Sequence, residues 1–160
     1  QLLMVKKYDQ IDLGYVGEII KINPEILTLL LEKDYIPVIA TIGVDTSGDR
    51  FNINADTVAG ELANVLKAEK LIFLTDVDGI LRELGNTDTL ISSINVREAR
   101  ELLKSGQVQK GMIPKVKSAL RALEGGVKKV HFINGKRSHS ILLEIFTDKG
   151  IGTEFVSIDN

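Results

Sequence analysis

Residues 71–81, which read LIFLTDVDGIL, decide the fold class of this sequence. Residues 71–74 have the length and composition of a buried strand, and two aspartates and a glycine follow almost at once. Segments with helix periodicity alternate with strand-length apolar runs on both sides of it. This alternation predicts an α/β fold with a mostly parallel central sheet flanked by helices. A small hairpin is predicted near residues 43–53, around the polar stretch GVDTSGDR.

Further elements follow from apolar periodicity and from helix-end signals. The predicted strands cover residues 16–22, 36–42, 71–74 and 127–133, with an edge strand at 152–158. One predicted helix begins at Pro24, and four more cover residues 55–67, 96–104, 113–124 and 138–147. The side chains of the last helix that are expected to face the core are Ile141, Leu142, Ile145 and Phe146. Ligands of such sheets bind at the carboxyl ends of strands, which indicates the loop before residues 52–56, the turn 75–79 and residues 134–135.

The composition limits the classes of function that this sequence can have. Its 160 residues are the size of one domain, and the lack of cysteine excludes a disulfide framework, thiolate zinc ligands and a cysteine nucleophile. A net charge of −2 and 5% aromatic residues without tryptophan predict no nucleic-acid partner. The longest strongly apolar stretch, residues 36–44, is too short to span a bilayer. We therefore expect a cytoplasmic protein with no membrane partner.

The motif DVDG at residues 76–79 allows several interpretations. Two carboxylates and a glycine at a strand end suit a site for phosphate and magnesium. An EF-hand is excluded because its twelfth loop position would be Thr87 instead of glutamate. A phosphotransferase of the haloacid dehalogenase type has a similar motif, but near its chain start and with a later acidic motif that has no convincing match here. A nucleotide-binding turn and an ordinary tight turn with Gly79 at positive φ stay open.

Polar residues at two predicted helix starts form further candidates. Alternation places Asn52 and Asn54 on the same side of an extended segment, and Asp56 in the first turn of the next helix. The side chains of these three residues could bind a small polar ligand. An N-cap role for Asn54 and a helix-dipole role for Asp56 explain two of the residues without a ligand, but not Asn52. Lys115 could meet a phosphate or be a surface lysine. His131, in an apolar run, is expected to be a core or edge histidine.

Four segments together resemble one known group of enzymes. They are NINADTVA at 52–59, LTDVDGIL at 74–81, GMIPKV at 111–116 and LEIFTDKGIGT at 143–153. In order and spacing they resemble the acetylglutamate kinases of the amino acid kinase family. The resemblance implies that family's fold and the ATP-dependent phosphorylation of the side-chain carboxylate of N-acetyl-L-glutamate, a step of arginine synthesis. It also implies Mg²⁺ held mainly through the ATP phosphates, with no metal ligand assigned to this chain.

The resemblance also implies roles for single residues. Lys115 matches the lysine that stabilises charge on the transferring phosphoryl group, and Asp56 the aspartate that orients catalytic lysines. Asn52 matches the asparagine that holds the substrate's backbone-type carboxylate, and Asn54 lies beside the phosphates. The nucleotide-binding turn corresponds to Asp76, Val77, Asp78, Gly79, Ile80 and Leu81, and the stretch beside the adenosine to Gln107, Val108 and Gln109. Glu144 and Gly150 match positions that hold the inhibitor in arginine-inhibited members, so L-arginine is a candidate effector.

One departure from the family changes the expected activity. The family has an N-terminal lobe with a second catalytic lysine, glycine-rich loops and a substrate-binding arginine, and nothing upstream of Asn52 matches them. We therefore expect residues 1–160 to be the C-terminal ATP-binding domain of a homo-oligomeric enzyme, inactive alone. Another kinase of the same family, or a non-catalytic small-molecule-binding module of that fold, is the alternative. Lys115 and Asp56 argue against the module, which has no need of an aimed lysine.

Overall fold

The computed structural model describes residues 1–83, 85–108, 110–147 and 150–157. The chain divides into two compact units, Gln1–Leu66 and Lys67–Asn160. Each unit contains a four-stranded sheet together with helices, so the predicted α/β class is confirmed. The sheets are mixed, because three of the strand pairs in the described residues are parallel and three are antiparallel. Each parallel pair has at least one helix between its two strands in the sequence, because a parallel connection needs a long crossover.

The first unit has the strand order β2-β1-β3-β4. Its elements are β1 (Leu3–Lys7), β2 (Gly17–Ile22), α1 (Glu25–Leu31), β3 (Ile42–Val44), β4 (Arg50–Asn52) and α2 (Ala55–Val65). The predicted hairpin is present, because β3 and β4 pair antiparallel. Its turn is stabilised by Asp45, whose carboxylate accepts hydrogen bonds from the N–H groups of Ser47 and Asp49, both at 2.9 Å. The core contains Leu3, Val5, Leu27, Phe51, Ile53, Val58 and Leu62.

The second unit has the strand order β5-β7-β8-β6. Its elements are β5 (Lys70–Thr75), β6 (Ser93–Asn95), α3 (Val96–Ser105), α4 (Ile113–Glu124), β7 (Lys129–Asn134), α5 (Ser140–Phe146) and β8 (Thr153–Val156), with single 3-10 turns at Thr87–Thr89 and Lys110–Met112. Its core includes an aromatic row in which Phe132 contacts Phe73 and Phe155, with ring centroids 5.4 and 4.6 Å apart. The parallel pairing of β5 with β7 brings the carboxyl ends of these two strands to the same edge.

The predicted strand at residues 36–42 is wrong for most of its length. Only Ile42 belongs to a strand, and the side chains of Ile36 and Val38 are 90% and 96% exposed. In the described part of the chain no strand pairs with residues 36–41. Apolar composition favours an extended segment but supplies no neighbouring strand, and Pro37 has no N–H to donate. The segment therefore stays outside the sheet.

Two predictions for the end of the chain are also wrong. The strand β8 is not an edge strand, because it lies between β7 and β6. The four apolar side chains expected to face inward from the last helix are all exposed, and the buried residues of α5 are Ser140 and Glu144. The helix presents this polar face to the interior because the Glu144 carboxylate finds hydrogen-bond donors there, as described below.

Candidate active site

The turn after β5 is fixed by its own side chains and by the end of β7. The Thr75 hydroxyl donates to the carbonyl oxygen of Val77 and accepts from the Val77 N–H. The Gly135 N–H donates to the Thr75 carbonyl oxygen at 2.9 Å, which ties the ends of β5 and β7 together. Hydrogen bonds therefore fix the start of this turn, residues 76–81, at the sheet edge where α/β proteins bind ligands.

Asn134, the last residue of β7, holds one of the turn's two carboxylates. Its Nδ2 donates to Oδ1 of Asp78 at 2.9 Å, and its Oδ1 accepts from the Lys136 N–H at 2.9 Å. The sequence indicates residues 134–135 as a ligand-binding strand end but not this contact with Asp78. One signal in the sequence could have indicated this contact. Asn134 is an amide residue at the carboxyl end of a predicted strand, and DVDG also follows the carboxyl end of a predicted strand.

Thr153, the first residue of β8, supports the turn from beneath. Its Oγ1 accepts a hydrogen bond from the Ile80 N–H at 2.9 Å, and its side chain is fully buried. Gly79 has φ +150°, and a Cβ at this position would lie 2.4 Å from Oγ1 of Thr153. The sequence does not indicate Thr153 as a site residue, because no local pattern predicts a contact between residues so distant in sequence.

The predicted nucleotide-binding residues differ in how far they face solvent. Asp76 is exposed, and Val77, Asp78 and Leu81 are half-buried, whereas Gly79 and Ile80 are buried. The first three residues of the turn can therefore contact a ligand, and Gly79 and Ile80 form the layer beneath them.

A groove next to the turn contains another predicted residue. Gln107, which is exposed after α3, lines a cavity of about 340 Å³ together with Arg82, the residue that follows the turn. The same cavity is lined by Ile91, Ser93, Ile94, Glu98, Glu101, Leu102 and Ser105. Walls that combine apolar side chains with amide, hydroxyl and charged groups suit a planar heterocycle. Val108 is buried, and Gln109 lies outside the described residues.

Lys115 lies in the first turn of α4, which begins at Ile113. Pro114 occupies the second position of the helix, where its missing N–H costs nothing, so the sequence favours a helix start here. Lys115 is half-buried. The N–H groups of a helix start and a lysine on the same turn together favour an anion.

The first unit brings Asn52, Asn54 and Asp56 onto one strand-to-helix connection. Asn52 ends β4 and is exposed, and Asp56 is half-buried in the first turn of α2. Asn54 is the N-cap of α2, with its Oδ1 accepting from the Thr57 N–H at 3.1 Å. The capping interpretation of Asn54 is therefore confirmed. The cap uses Oδ1 of Asn54, and a contact with a ligand would come from Nδ2 of the same amide.

Glu144 has a buried carboxylate with three hydrogen-bond partners. Its Oε2 accepts from the N–H groups of Ile151 at 2.7 Å and Gly152 at 3.0 Å, and its Oε1 lies 2.7 Å from Nδ1 of the buried His131. Gly150 is beside it with φ +61°. Burial raises the pKa of the Glu144 carboxyl, but the Ile151 N–H, the His131 ring and the Gly152 N–H outweigh burial and hold it below its ordinary value.

Stability should therefore depend on pH through Glu144. Because its folded-state pKa is lowered, the carboxylate stabilises the fold above its ordinary pKa of 4.5, and this contribution is lost as the pH falls through the folded-state value. Melting curves of the wild type and Glu144→Gln, recorded by circular dichroism from about pH 7 to about pH 3, should converge towards acid. The exposed control Glu101→Gln should follow the wild type. A gap between wild type and Glu144→Gln that stays constant over this range would contradict the assignment.

Most of the chain matches a known protein family. A model of the family described as "Amino acid kinase family" matches residues 2–134. The chain belongs to the amino acid kinase family. The match includes Asn52, Asp56, Lys115 and the turn at 76–81.

Several curated relatives of this chain are named acetylglutamate kinase. The chain is 54% identical over 144 residues to acetylglutamate kinase from Methanocaldococcus jannaschii, which covers 90% of this chain and 48% of the relative. It is 56% identical over 143 residues to acetylglutamate kinase from Aquifex aeolicus, which covers 89% of this chain and 47% of the relative. The chain thus spans about half the length of the curated relatives it matches.

Similar solved structures support the fold. N-acetylglutamate synthase from Neisseria gonorrhoeae, complexed with coenzyme A and L-arginine, matches with a TM-score of 0.90 and 32% identity over 98% of this chain and 37% of that chain. Carbamate kinase from Giardia matches with a TM-score of 0.74 and 19% identity over 98% of this chain and 60% of that chain, which bears on the fold alone. The predicted amino acid kinase fold is confirmed. Among the described residues, no helix combines the length and the apolarity that a membrane span needs.

Proposed function

We propose that residues 1–160 are the C-terminal, ATP-binding half of an acetylglutamate kinase. The observation that carries this proposal is identity above 50% to proteins of that name over nine-tenths of this chain. In the proposed reaction, a side-chain carboxylate oxygen of N-acetyl-L-glutamate attacks the γ-phosphorus of ATP. The bond from that phosphorus to the β,γ-bridging oxygen breaks, and ADP leaves.

The second unit supplies the nucleotide site in this proposal. The start of the turn, at Asp76, Val77 and Asp78, contacts the nucleotide, and Asn134 holds the Asp78 carboxylate in place for that contact. The groove beside Arg82 and Gln107 receives the adenosine, for which its mixed apolar and polar walls are suited. These assignments agree with the rule that ligands bind at the carboxyl ends of parallel strands.

Magnesium belongs to the Mg-ATP substrate in this proposal. Its ligands are phosphate oxygens and water, which Mg²⁺ retains readily. The chain's described residues include no group of three or more acidic or histidine side chains that could hold a metal ion by themselves. The ion supplies positive charge to the transferring phosphoryl group when Mg-ATP is bound.

Lys115 supplies the protein's positive charge in this proposal. Phosphoryl transfer needs positioning and charge on the equatorial phosphoryl oxygens more than covalent chemistry. A lysine on the first turn of α4 adds its charge to the N–H groups of the helix start. Asp56 keeps catalytic lysines oriented, Asn52 binds the backbone-type carboxylate of the substrate, and the amide nitrogen of Asn54 approaches the phosphates.

Further parts of the proposal concern the whole enzyme. We assign it to the cytoplasm as a homo-oligomer, with a second catalytic lysine in an N-terminal lobe. We also propose L-arginine as an effector at Glu144 and Gly150. The similar synthase from Neisseria gonorrhoeae is complexed with L-arginine, which supports an arginine effector. An effector that binds there has to compete with the Ile151 and Gly152 N–H groups for the Glu144 carboxylate.

The test is an activity assay on this chain alone and after mixing with the portion of the Aquifex aeolicus relative that it does not match. We expect no acetylglutamyl phosphate from the isolated chain and measurable product from the mixture. Glutamate and carbamate serve as competing acceptors. Product from the isolated chain, or no product from a mixture that forms a stable complex, would contradict the proposal. Preference for another acceptor would indicate another kinase of the family.

A further inference from the structure

A continuous row of contacts joins α5 to the turn of residues 76–81. The Glu144 carboxylate accepts from the Gly152 N–H at 3.0 Å. The next residue, Thr153, accepts from the Ile80 N–H at 2.9 Å through its Oγ1. Two consecutive residues therefore connect a helix carboxylate to the backbone of the proposed nucleotide turn.

The neighbouring backbone leaves this row little room to move. A Cβ at Gly152 would lie 2.1 Å from the carbonyl oxygen of Phe132, and one at Gly79 would lie 2.4 Å from Oγ1 of Thr153. Thr153 is also paired with Phe132 in the antiparallel ladder of β7 and β8. Close-packed interiors transmit displacements instead of absorbing them, so a shift at residues 152–153 has to reach Gly79 and Ile80.

Glu144 holds the near end of the row through both carboxylate oxygens. One oxygen accepts from the N–H groups of Ile151 and Gly152, and the other meets Nδ1 of His131 on β7. His131 is itself buried and belongs to the centre of the sheet. The position of residues 151–153 therefore depends on a carboxylate that is anchored to the sheet.

We propose that Glu144 and Thr153 are positioning residues that couple α5 to the nucleotide turn and thereby set the affinity for Mg-ATP. The inference rests on the proposed function, which places the nucleotide on residues 76–81. Withdrawing the Glu144 carboxylate releases Gly152, shifts Thr153 and loosens the Ile80 N–H. By linkage, a ligand that binds Glu144 in the withdrawn position lowers the affinity for nucleotide, and nucleotide lowers the affinity for that ligand by the same factor.

Calorimetric titration of the 160-residue chain with Mg-ATP tests Thr153. Thr153→Val keeps the shape of the side chain and removes the hydroxyl, and we expect Kd to rise about tenfold, as for the loss of one buried hydrogen bond. Thr153→Ser, which keeps the hydroxyl, should restore the affinity to within about twofold of the wild type. The matched control Ser140→Ala removes another buried hydroxyl, on α5, and should leave Kd unchanged.

Hydrogen exchange at single amides tests Glu144 independently of affinity. Glu144→Ala should accelerate exchange of the Ile80 N–H while the Leu120 N–H in the middle of α4 stays protected. A purely structural role would accelerate both amides through global unfolding. Glu144→Gln, which keeps the shape but weakens the acceptor, should give the same selective effect at smaller size, and it decides the matter if the alanine variant does not fold.

The outcomes separate the coupling from the proposed function. Wild-type chain that binds Mg-ATP, together with unchanged Kd in Thr153→Val, would overturn the coupling and leave the nucleotide site intact. Unselective exchange in the Glu144 variants would overturn the role of Glu144. Wild-type chain that binds no Mg-ATP would overturn the nucleotide site and the coupling with it.

Discussion

Replacing Lys115 by alanine in a complete enzyme that contains this sequence is expected to lower kcat by about 10²–10³-fold. The side chain stands on the first turn of α4, where its charge and the helix N–H groups act together on an anion. Negative charge on the transferring phosphoryl group must be stabilised most in the transition state, so the loss should appear in kcat. The Kd for Mg-ATP should change by less than about threefold, because the proposed nucleotide site consists of the turn and the groove and does not include Lys115.

The measurement for Lys115 combines steady-state kinetics with calorimetry. Lys117→Ala is the matched control, since Lys117 is an exposed lysine two residues further along the same helix. It should keep the wild-type kcat, and Lys115→Arg should recover only part of it because the guanidinium differs in shape. A Lys115→Ala enzyme that turns over normally would remove this residue from the catalytic machinery.

Replacing Gly79 by alanine is expected to abolish Mg-ATP binding and to lower the free energy of unfolding by about 2–4 kcal/mol. Gly79 has φ +150°, which alanine adopts only with strain, and its Cβ would lie 2.4 Å from Oγ1 of Thr153 and 3.1 Å from the Thr153 nitrogen. The buried β8 backbone cannot retreat, so the turn must shift. The contacts proposed between the nucleotide and Asp76, Val77 and Asp78 are then lost.

Gly126→Ala is the control that separates backbone strain from this contact. Gly126 also has a positive φ, +106°, but a Cβ there meets nothing within 4 Å. Its replacement should cost about 1 kcal/mol of stability and leave Mg-ATP binding unchanged. Urea unfolding and calorimetry on both variants check the two effects. Wild-type affinity in Gly79→Ala would show that the turn does not carry the nucleotide.

The sequence predicts best those elements whose limits are marked by local chemistry. The helix α4 occupies Ile113–Glu124 as predicted, because Pro114 favours its start and the glycine pair after Glu124 favours its end. The strand before DVDG and the helix start at Asn54 are also where the sequence places them, since a buried apolar run and an N-cap act within a few residues. The fold class and the strand-edge location of the site follow from these elements.

Features that depend on distant neighbours could not be predicted in the same way. Residues 36–41 are apolar enough for a strand, but a strand also needs a partner, which periodicity does not report. Glu144 has the pattern of a solvated helix residue, and its burial depends on the N–H groups of Ile151 and Gly152 after the helix has ended. The contact of Thr153 with Ile80 joins the start of β8 to the turn after β5, and only the folded sheet brings these two segments together.

We propose that this chain carries the ATP site of an acetylglutamate kinase. Calorimetric titration of the 160-residue chain with Mg-ATP tests it most directly, with Gly79→Ala titrated in parallel. We expect saturable binding at one site per chain for the wild type and no binding for the Gly79→Ala variant. Absence of binding by a folded wild-type chain, or equal binding by the folded Gly79→Ala chain, would contradict it.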